Sequence, residues 1–140
     1  MHPRSSAGWA ARSKCEADDQ GIVAARTRPG SRYVIMGDMN DPPSSPCLAP
    51  FVDSTELRLR DALADPVEDR PARPDDPPPP GPAWTHRFKE SGQPAEYELF
   101  DHIWLSEPLA ERQDGAWIGR RRTYGGQDSD HDPAIARLAI

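Results

Sequence analysis

Short apolar runs separated by polar loops dominate this 140-residue chain, which predicts a protein built mainly from strands. Residues 14–28 are the exception, since early acids, late arginines and the following Pro29-Gly30 are typical of a helix and its end. A helical turn is predicted from residue 44, and residues 55–63 fit either helix or loop. Strands are predicted over residues 32–37, 83–88, 99–105, 115–119 and 133–139. This mixture of helix and sheet indicates the α/β or α+β class.

A proline-rich segment, residues 65–82, interrupts this pattern with the sequence DPVEDRPARPDDPPPPGP. Proline lacks the backbone N–H that helices and sheets require, so we expect an exposed loop that is disordered or in the polyproline II conformation. A surface insertion is a better interpretation than a ligand for a proline-binding domain. It does not divide the chain, because the chemical motifs lie on both sides of it, and residues 1–140 are treated as one domain.

Charge and cysteine content narrow the classes of function. The net charge of −6 argues against a protein that coats nucleic acid through its phosphates. Cys15 and Cys47 have no metal-binding spacing, so we expect free thiols, which suit a reducing compartment. No apolar run resembles a signal peptide or a membrane span. A cytoplasmic location is therefore the default expectation, with a secretion signal encoded upstream as the alternative.

The first chemical motif is at residues 33–41, YVIMGDMND, where an apolar run reaches Gly37 and is followed by Asp38 and Asn40. Strand alternation predicts that Asp38 and Asn40 point the same way, where a carboxylate and an amide suit a hard cation and a phosphate oxygen. A strand followed by a simple turn explains the same residues. Both interpretations stand at this point.

Two further motifs combine carboxylates with histidine. Asp101 and His102 open the apolar run Ile103-Trp104-Leu105, and Ser129-Asp130-His131 precedes the last predicted strand. A carboxylate in a strand is costly to bury without a partner. A histidine is the natural partner, because the carboxylate fixes the imidazole tautomer by accepting a ring N–H.

The three motifs, in this order, resemble the endonuclease/exonuclease/phosphatase superfamily, the fold of DNase I and exonuclease III. Trp84-Thr85 is similar to the family strand that precedes the Asp101 segment. The resemblance implies the C-terminal half of a four-layer α/β sandwich with a mixed, largely antiparallel sheet. The first half, with a strand ending in Asn and a metal-binding Glu, is not recognisable, so we expect a domain truncated at its N-terminus. One sheet face is then expected to be uncovered and available for association.

The resemblance also implies a function, which is metal-dependent hydrolysis of phosphoester bonds. The implied catalytic residues are Asp38, Asn40, Asp101 and His131, and the implied ligands of a weakly bound Mg²⁺ or Mn²⁺ are Asp130 and Asp38. The substrate would be nucleic acid, a phosphorylated small molecule or a lipid head group. The alternative is a non-catalytic remnant or interaction module that keeps the motifs without the metal-binding Glu.

Other polar residues near the motifs have structural interpretations. Turn or cap roles are expected for Asp41 and Asp132, and His102 is expected to face away from Asp101. His86 belongs to no motif and is expected on the surface. The basic run from Arg120 to Arg122 is expected in a solvated turn.

Overall fold

Small, mostly antiparallel sheets and a few short helices form the part of the chain that the computed structural model describes, which is an α+β arrangement. The described residues are 21, 23–53, 55, 57–64, 67–68, 83–120 and 129–139. In chain order the elements are β1 (Val34–Asp38), α1 (Ala49–Val52), β2 (Leu59–Asp61), β3 (Val67–Glu68), β4 (His86–Phe88), β5 (Glu96–Glu98), β6 (Asp101–Ser106), α2 (Glu107–Ala110), β7 (Gln113–Ile118) and β8 (Ala134–Leu138).

Strand β6 is the centre of the first sheet and pairs antiparallel with β1 on one side and β2 on the other. Its run of apolar residues is buried, as expected for a strand covered on both faces. The register with β1 pairs Val34 with Leu105 at one end and Asp38 with Asp101 at the other. The sheet therefore places two carboxylates side by side at one of its ends.

The second sheet and a hairpin supply the remaining strands. Strand β7 pairs antiparallel with β8 and parallel with β3, while β4 and β5 form an antiparallel hairpin. An isolated bridge between His86 and His131 joins this hairpin to the segment that leads into β8. This bridge brings residues from distant parts of the chain to the end of the first sheet.

Two apolar clusters hold the sheets together. The larger one includes Ile103, Leu105 and Ile118, and connects the first sheet to β7 and β8. The smaller one packs Leu48 and Phe51 against Trp104, whose indole stacks on the Phe51 ring with centroids 5.2 Å apart. Alternate residues of β6 therefore contribute to different clusters, so its register is fixed from both sides.

The predicted strands correspond to β1, β4, β6, β7 and β8, with ends shifted by up to three residues. The ambiguous segment 55–63 contains the short strand β2, and the predicted helical turn corresponds to α1. Residues 21 and 23–26 are helical and residues 27–28 are not, while residues 14–20 and 22 of the predicted helix lie outside the described residues. Cys47 is buried and is not part of a disulfide, and Cys15 lies outside the described residues.

The proline-rich segment differs from expectation at two positions. Val67–Glu68 forms a parallel pairing with Trp117 and Ile118, although no sheet pairing was expected between residues 65 and 82. Both residues precede the dense proline run, so their backbone N–H groups are available. The remainder of the segment lies outside the described residues.

The expectation of a solvated turn at Arg120 is wrong. Its side chain is 1% exposed, forms an ion pair with Asp132 at 3.1 Å, and donates to the Trp84 carbonyl at 2.7 Å. The guanidinium also lies 3.6 Å from the centroid of the Trp84 ring. Asp132, expected in a turn or cap, is the buried counterion. Arg121 and Arg122 lie outside the described residues.

Apolar side chains are also exposed on the described surface. Val34 and Met36 on β1 are 40% and 70% exposed, and Phe88 on β4 is 50% exposed. Val34 and Met36 alternate with half-buried Ile35, so the two exposed side chains lie on the same face of β1. Among the described helices, none is both long enough and apolar enough to cross a membrane.

We predict that Asp132→Ala lowers the free energy of unfolding by about 3–5 kcal/mol, because it leaves the buried Arg120 guanidinium without its counterion. Asp114→Ala is the matched control, since Asp114 pairs with Arg137 at 3.0 Å but both side chains are about 60% exposed. The control should lose less than about 1 kcal/mol. Urea unfolding of both variants measures the difference, and equal losses would contradict the structural role of the buried pair.

Candidate active site

His131 lies at the centre of the site. Its Nδ1–H donates to Asp101 Oδ2 at 2.7 Å, the partnership that the sequence predicted for this carboxylate. Its backbone N–H donates to the Ser129 hydroxyl at 3.1 Å, which fixes the local turn. Because Asp101 holds the proton-bearing Nδ1, the Nε2 atom is directed away from Asp101.

Two more carboxylates flank the Nε2 atom of His131. Asp38 Oδ2 lies 3.7 Å from it and Asp130 Oδ1 lies 3.9 Å from it. Burial acts to lower the pKa of His131, but the hydrogen bond to Asp101 and the negative charges of all three carboxylates together raise it above its ordinary value. The imidazolium form is therefore more stable here than in a free histidine side chain.

The pKa of Asp130 shifts in the opposite direction to that of His131. Burial acts to raise its pKa, but hydrogen bonds from the backbone and from His86, together with the charges of His86 and His131, lower the pKa below the ordinary value. Its side chain is 60% exposed, so it forms the solvent-facing side of the site.

Asn40 is placed differently from the prediction. Strand β1 ends at Asp38, and Asn40 has a φ of +54°, in the left-handed region that asparagine tolerates. Its backbone N–H donates to Asp38 Oδ1 at 2.9 Å, so the Asp-Met-Asn segment forms a turn closed by the aspartate. Strand alternation therefore does not extend to Asn40, which contacts the site through this backbone hydrogen bond to Asp38.

His86 belongs to the site, and the expectation of an isolated surface histidine is wrong. Its Nε2 lies 3.2 Å from Asp130 Oδ2, and its side chain is only 17% exposed. The ring stacks on Phe100 with centroids 5.1 Å apart and lies 4.9 Å from the His131 ring. The bridge between the backbones of His86 and His131 produces this contact, and no local sequence pattern signals it.

Thr85 holds two segments of the site together through hydrogen bonds. It is fully buried, and its hydroxyl accepts backbone N–H groups from Phe100 at 3.2 Å and Asp101 at 3.1 Å. Its carbonyl accepts the N–H of Asp132 at 2.6 Å. Thr85 therefore connects the start of β6 to the segment that carries His131, which keeps Asp101 and His131 in register.

His102 faces away from Asp101, as predicted for neighbouring strand residues. Its Nε2–H donates to the carbonyl of Asp41 at 2.8 Å, and its ring stacks on Trp104 with centroids 4.9 Å apart. Asp41, expected in a turn or cap, is 3% exposed. This contact fastens the loop that follows Asp38 to the core.

The donor set admits two kinds of cation. Asp38 and Asp130 both approach His131 Nε2, at 3.7 and 3.9 Å, and one or two carboxylates are what Mg²⁺ or Mn²⁺ takes from a protein. However, one possible ligand atom from each of His86, Asp130 and His131 also lies within 4.8 Å of the others. That second group includes two nitrogen donors, which a hard oxygen-binding cation does not require.

Comparison with known proteins gives no assignment, since no family model, curated protein or solved structure matches this chain. The resemblance to the endonuclease/exonuclease/phosphatase superfamily therefore rests on the three sequence motifs alone.

We predict that Asp101→Asn lowers the pKa of His131, because the amide still accepts the Nδ1–H but carries no charge. A raised pKa in the folded state stabilises the protein at pH values below the unfolded pKa, and this contribution is lost as the pH rises through the folded pKa. The stability difference between wild type and Asp101→Asn should therefore shrink as the pH rises.

NMR titration of the His131 ring measures the pKa, and urea unfolding at several pH values measures the stability difference. Asp114→Asn, an exposed carboxylate on β7, is the control and should leave the His131 titration unchanged. A His131 titration that is identical in Asp101→Asn and wild type would contradict the pairing.

Proposed function

We propose that this chain hydrolyses phosphoester bonds in a metal-dependent reaction, as the C-terminal part of a DNase I-like α/β sandwich. The observation that carries the proposal is the arrangement around His131. Asp101 holds Nδ1 at 2.7 Å, while Asp38 and Asp130 approach Nε2 at 3.7 and 3.9 Å. An imidazole that is oriented through Nδ1 and has carboxylates beside Nε2 suits charge stabilisation and proton transfer at a phosphate.

In this proposal the side chains around His131 have distinct tasks. His131 in its imidazolium form, which its carboxylate neighbours favour, donates from Nε2 to a phosphoryl oxygen and offsets the charge that develops there. Asp38 accepts a proton from the attacking water, and the turn that Asn40 closes keeps this carboxylate in place. Asp101 does not touch the substrate and acts by positioning His131.

Asp38 and Asp130 are the residues that would hold Mg²⁺ or Mn²⁺, weakly in this chain. When bound, such a cation neutralises negative charge on the phosphate. The substrate class is a phosphoester, either in nucleic acid or on a phosphorylated small molecule or lipid head group. A cytoplasmic location stays an expectation from the sequence.

A non-catalytic interaction module is the second candidate. The exposed Val34 and Met36 side chains on one face of β1 favour it, because apolar side chains on an edge strand invite pairing with another chain. The two candidates differ in one observable, which is hydrolysis of a generic phosphodiester.

We predict that His131→Ala and Asp38→Asn each reduce the turnover of bis(p-nitrophenyl) phosphate by about 10²–10⁴-fold, since both residues contact the reacting groups. Asp101→Asn should cost about 10–100-fold, because it acts through His131. The Asp101/His131 double variant should be no slower than His131→Ala, since the pair acts as one unit.

The measurement is steady-state hydrolysis with Mg²⁺ or Mn²⁺ and with EDTA, and Asp114→Asn is the control. Equal activity of wild type and His131→Ala would remove His131 from the mechanism. A wild-type chain without any metal-dependent hydrolysis would contradict the proposal for this chain and favour the interaction module.

We also predict that millimolar Mg²⁺ raises the melting temperature very little. Two carboxylates give few oxygen ligands, and stabilisation by a ligand requires a concentration well above its Kd. Thermal unfolding with and without Mg²⁺ is the measurement. A clear rise that Asp130→Asn abolishes would show that the cation site is complete in this chain.

A further inference from the structure

We propose that His86, Asp130 and His131 form a binding site for a divalent cation of the Zn²⁺ class, chemically distinct from Mg²⁺. The binding proposal stands on the geometry of these three side chains. Its consequence for catalysis, which is inhibition, rests on the proposed function, because the bound cation would occupy the His131 nitrogen that faces the substrate.

The spacing of the ligand atoms suits a small tetrahedral cation. Ligands about 2.0–2.2 Å from Zn²⁺ lie roughly 3.4 Å from each other. His86 Nε2 and Asp130 Oδ2 are 3.2 Å apart, and His131 Nε2 lies 3.9 Å from Asp130 Oδ1. The whole set lies within 4.8 Å, so small side-chain rotations bring the three ligands onto one cation.

The His131 ring is oriented as a metal ligand would be, and its Nε2 can bind a cation once it has lost its proton. Its Nδ1–H donates to Asp101 at 2.7 Å, which directs the other nitrogen, Nε2, toward Asp130. Metal-binding histidines usually donate their second ring N–H to a carboxylate or carbonyl, since that contact fixes the tautomer and strengthens the ligand. Asp101 occupies that position here.

The His86 ring is held by its neighbours. It stacks on Phe100, and the backbone bridge to His131 fixes the strand that carries it. Both histidine side chains are largely buried, at 17% and 23% exposure, while Asp130 is 60% exposed. A cation can therefore enter from the side of Asp130 and meet two imidazoles that are already ordered.

The ligand chemistry selects the class of cation. Two imidazoles and a carboxylate suit Zn²⁺ or Co²⁺, whereas Mg²⁺ prefers oxygen ligands and retains most of its water. Asp38 Oδ2, 3.7 Å from His131 Nε2, is close enough to supply a fourth ligand. The two cation classes would thus share Asp130 and Asp38 but differ in their use of histidine.

The binding test is isothermal titration of the full chain with Zn²⁺, Co²⁺ and Mg²⁺, together with the visible absorption of bound Co²⁺. All proteins carry Cys15→Ser, which removes a competing thiol, while Cys47 is buried. We expect Zn²⁺ to bind at least 100-fold more tightly than Mg²⁺. We expect His86→Phe, which retains an aromatic ring against Phe100, to weaken Zn²⁺ binding at least tenfold.

Matched variants make the test specific. Asp130→Asn should also weaken Zn²⁺ binding, whereas Asp114→Asn, with the same 60% side-chain exposure, should not. His2→Ala controls for the histidine outside the described residues and should leave Zn²⁺ affinity unchanged. Circular dichroism of each variant establishes that it is folded. Zn²⁺ affinity that is equal in wild type, His86→Phe and Asp130→Asn would overturn the proposal.

Hydrolysis assays separate the site from the proposed function. With Mg²⁺ or Mn²⁺ present, Zn²⁺ should inhibit wild type at a concentration near its Kd, and His86→Phe should need at least tenfold more Zn²⁺, each relative to its own uninhibited rate. Zn²⁺ binding without hydrolysis under any condition would support the site and refute the function. Hydrolysis with Zn²⁺ binding that is insensitive to His86→Phe would support the function and refute the site.

Discussion

The pairing of β1 with β6 brings two carboxylates together, and the rest of the site compensates their negative charges. Their register places Asp38 directly opposite Asp101, and like charges opposite each other destabilise a sheet. His131 lies against both acids, 2.7 Å from Asp101 and 3.7 Å from Asp38, so one imidazolium compensates the pair. The site is therefore a consequence of strand register as much as of the residues themselves.

That register is fixed by packing at a distance from the charges. Ile103 and Leu105 belong to one apolar cluster and Trp104 to the other, so a slip of one residue in β6 would exchange the two faces. Thr85 adds a polar constraint, because its hydroxyl accepts the N–H of Asp101 while its carbonyl accepts that of Asp132. Burial of apolar side chains thus stabilises a cluster of acids that would otherwise repel each other.

Features that depend on local sequence patterns were predicted, whereas features that depend on contacts between distant residues were missed. Apolar runs located the strands that carry Asp38 and Asp101, and a carboxylate in a strand correctly required a histidine partner.

His86 reaches the site only through its bridge to His131, 45 positions along the chain, which no window of residues reveals. Arg120 was missed for the same reason, since its counterion and its Trp84 partner come from separate segments. Asn40 lies beyond the end of β1 at a positive φ that asparagine tolerates, so strand alternation does not determine the direction of its side chain.

The same electrostatic constraint would let one cluster support both of the proposed chemistries. Asp38, Asp101 and Asp130 surround a single ring, and their mutual repulsion is relieved by any positive charge placed among them. A proton on His131 meets that need, and so does a divalent cation held by the carboxylates and the imidazole nitrogens. Proton and nitrogen-bound cation require the same Nε2 lone pair, so they exclude each other there. A hard cation held by Asp38 and Asp130 alone would not use that nitrogen. In the proposed site, His86 would decide between these arrangements, because it offers the second nitrogen that favours a cation of the Zn²⁺ class.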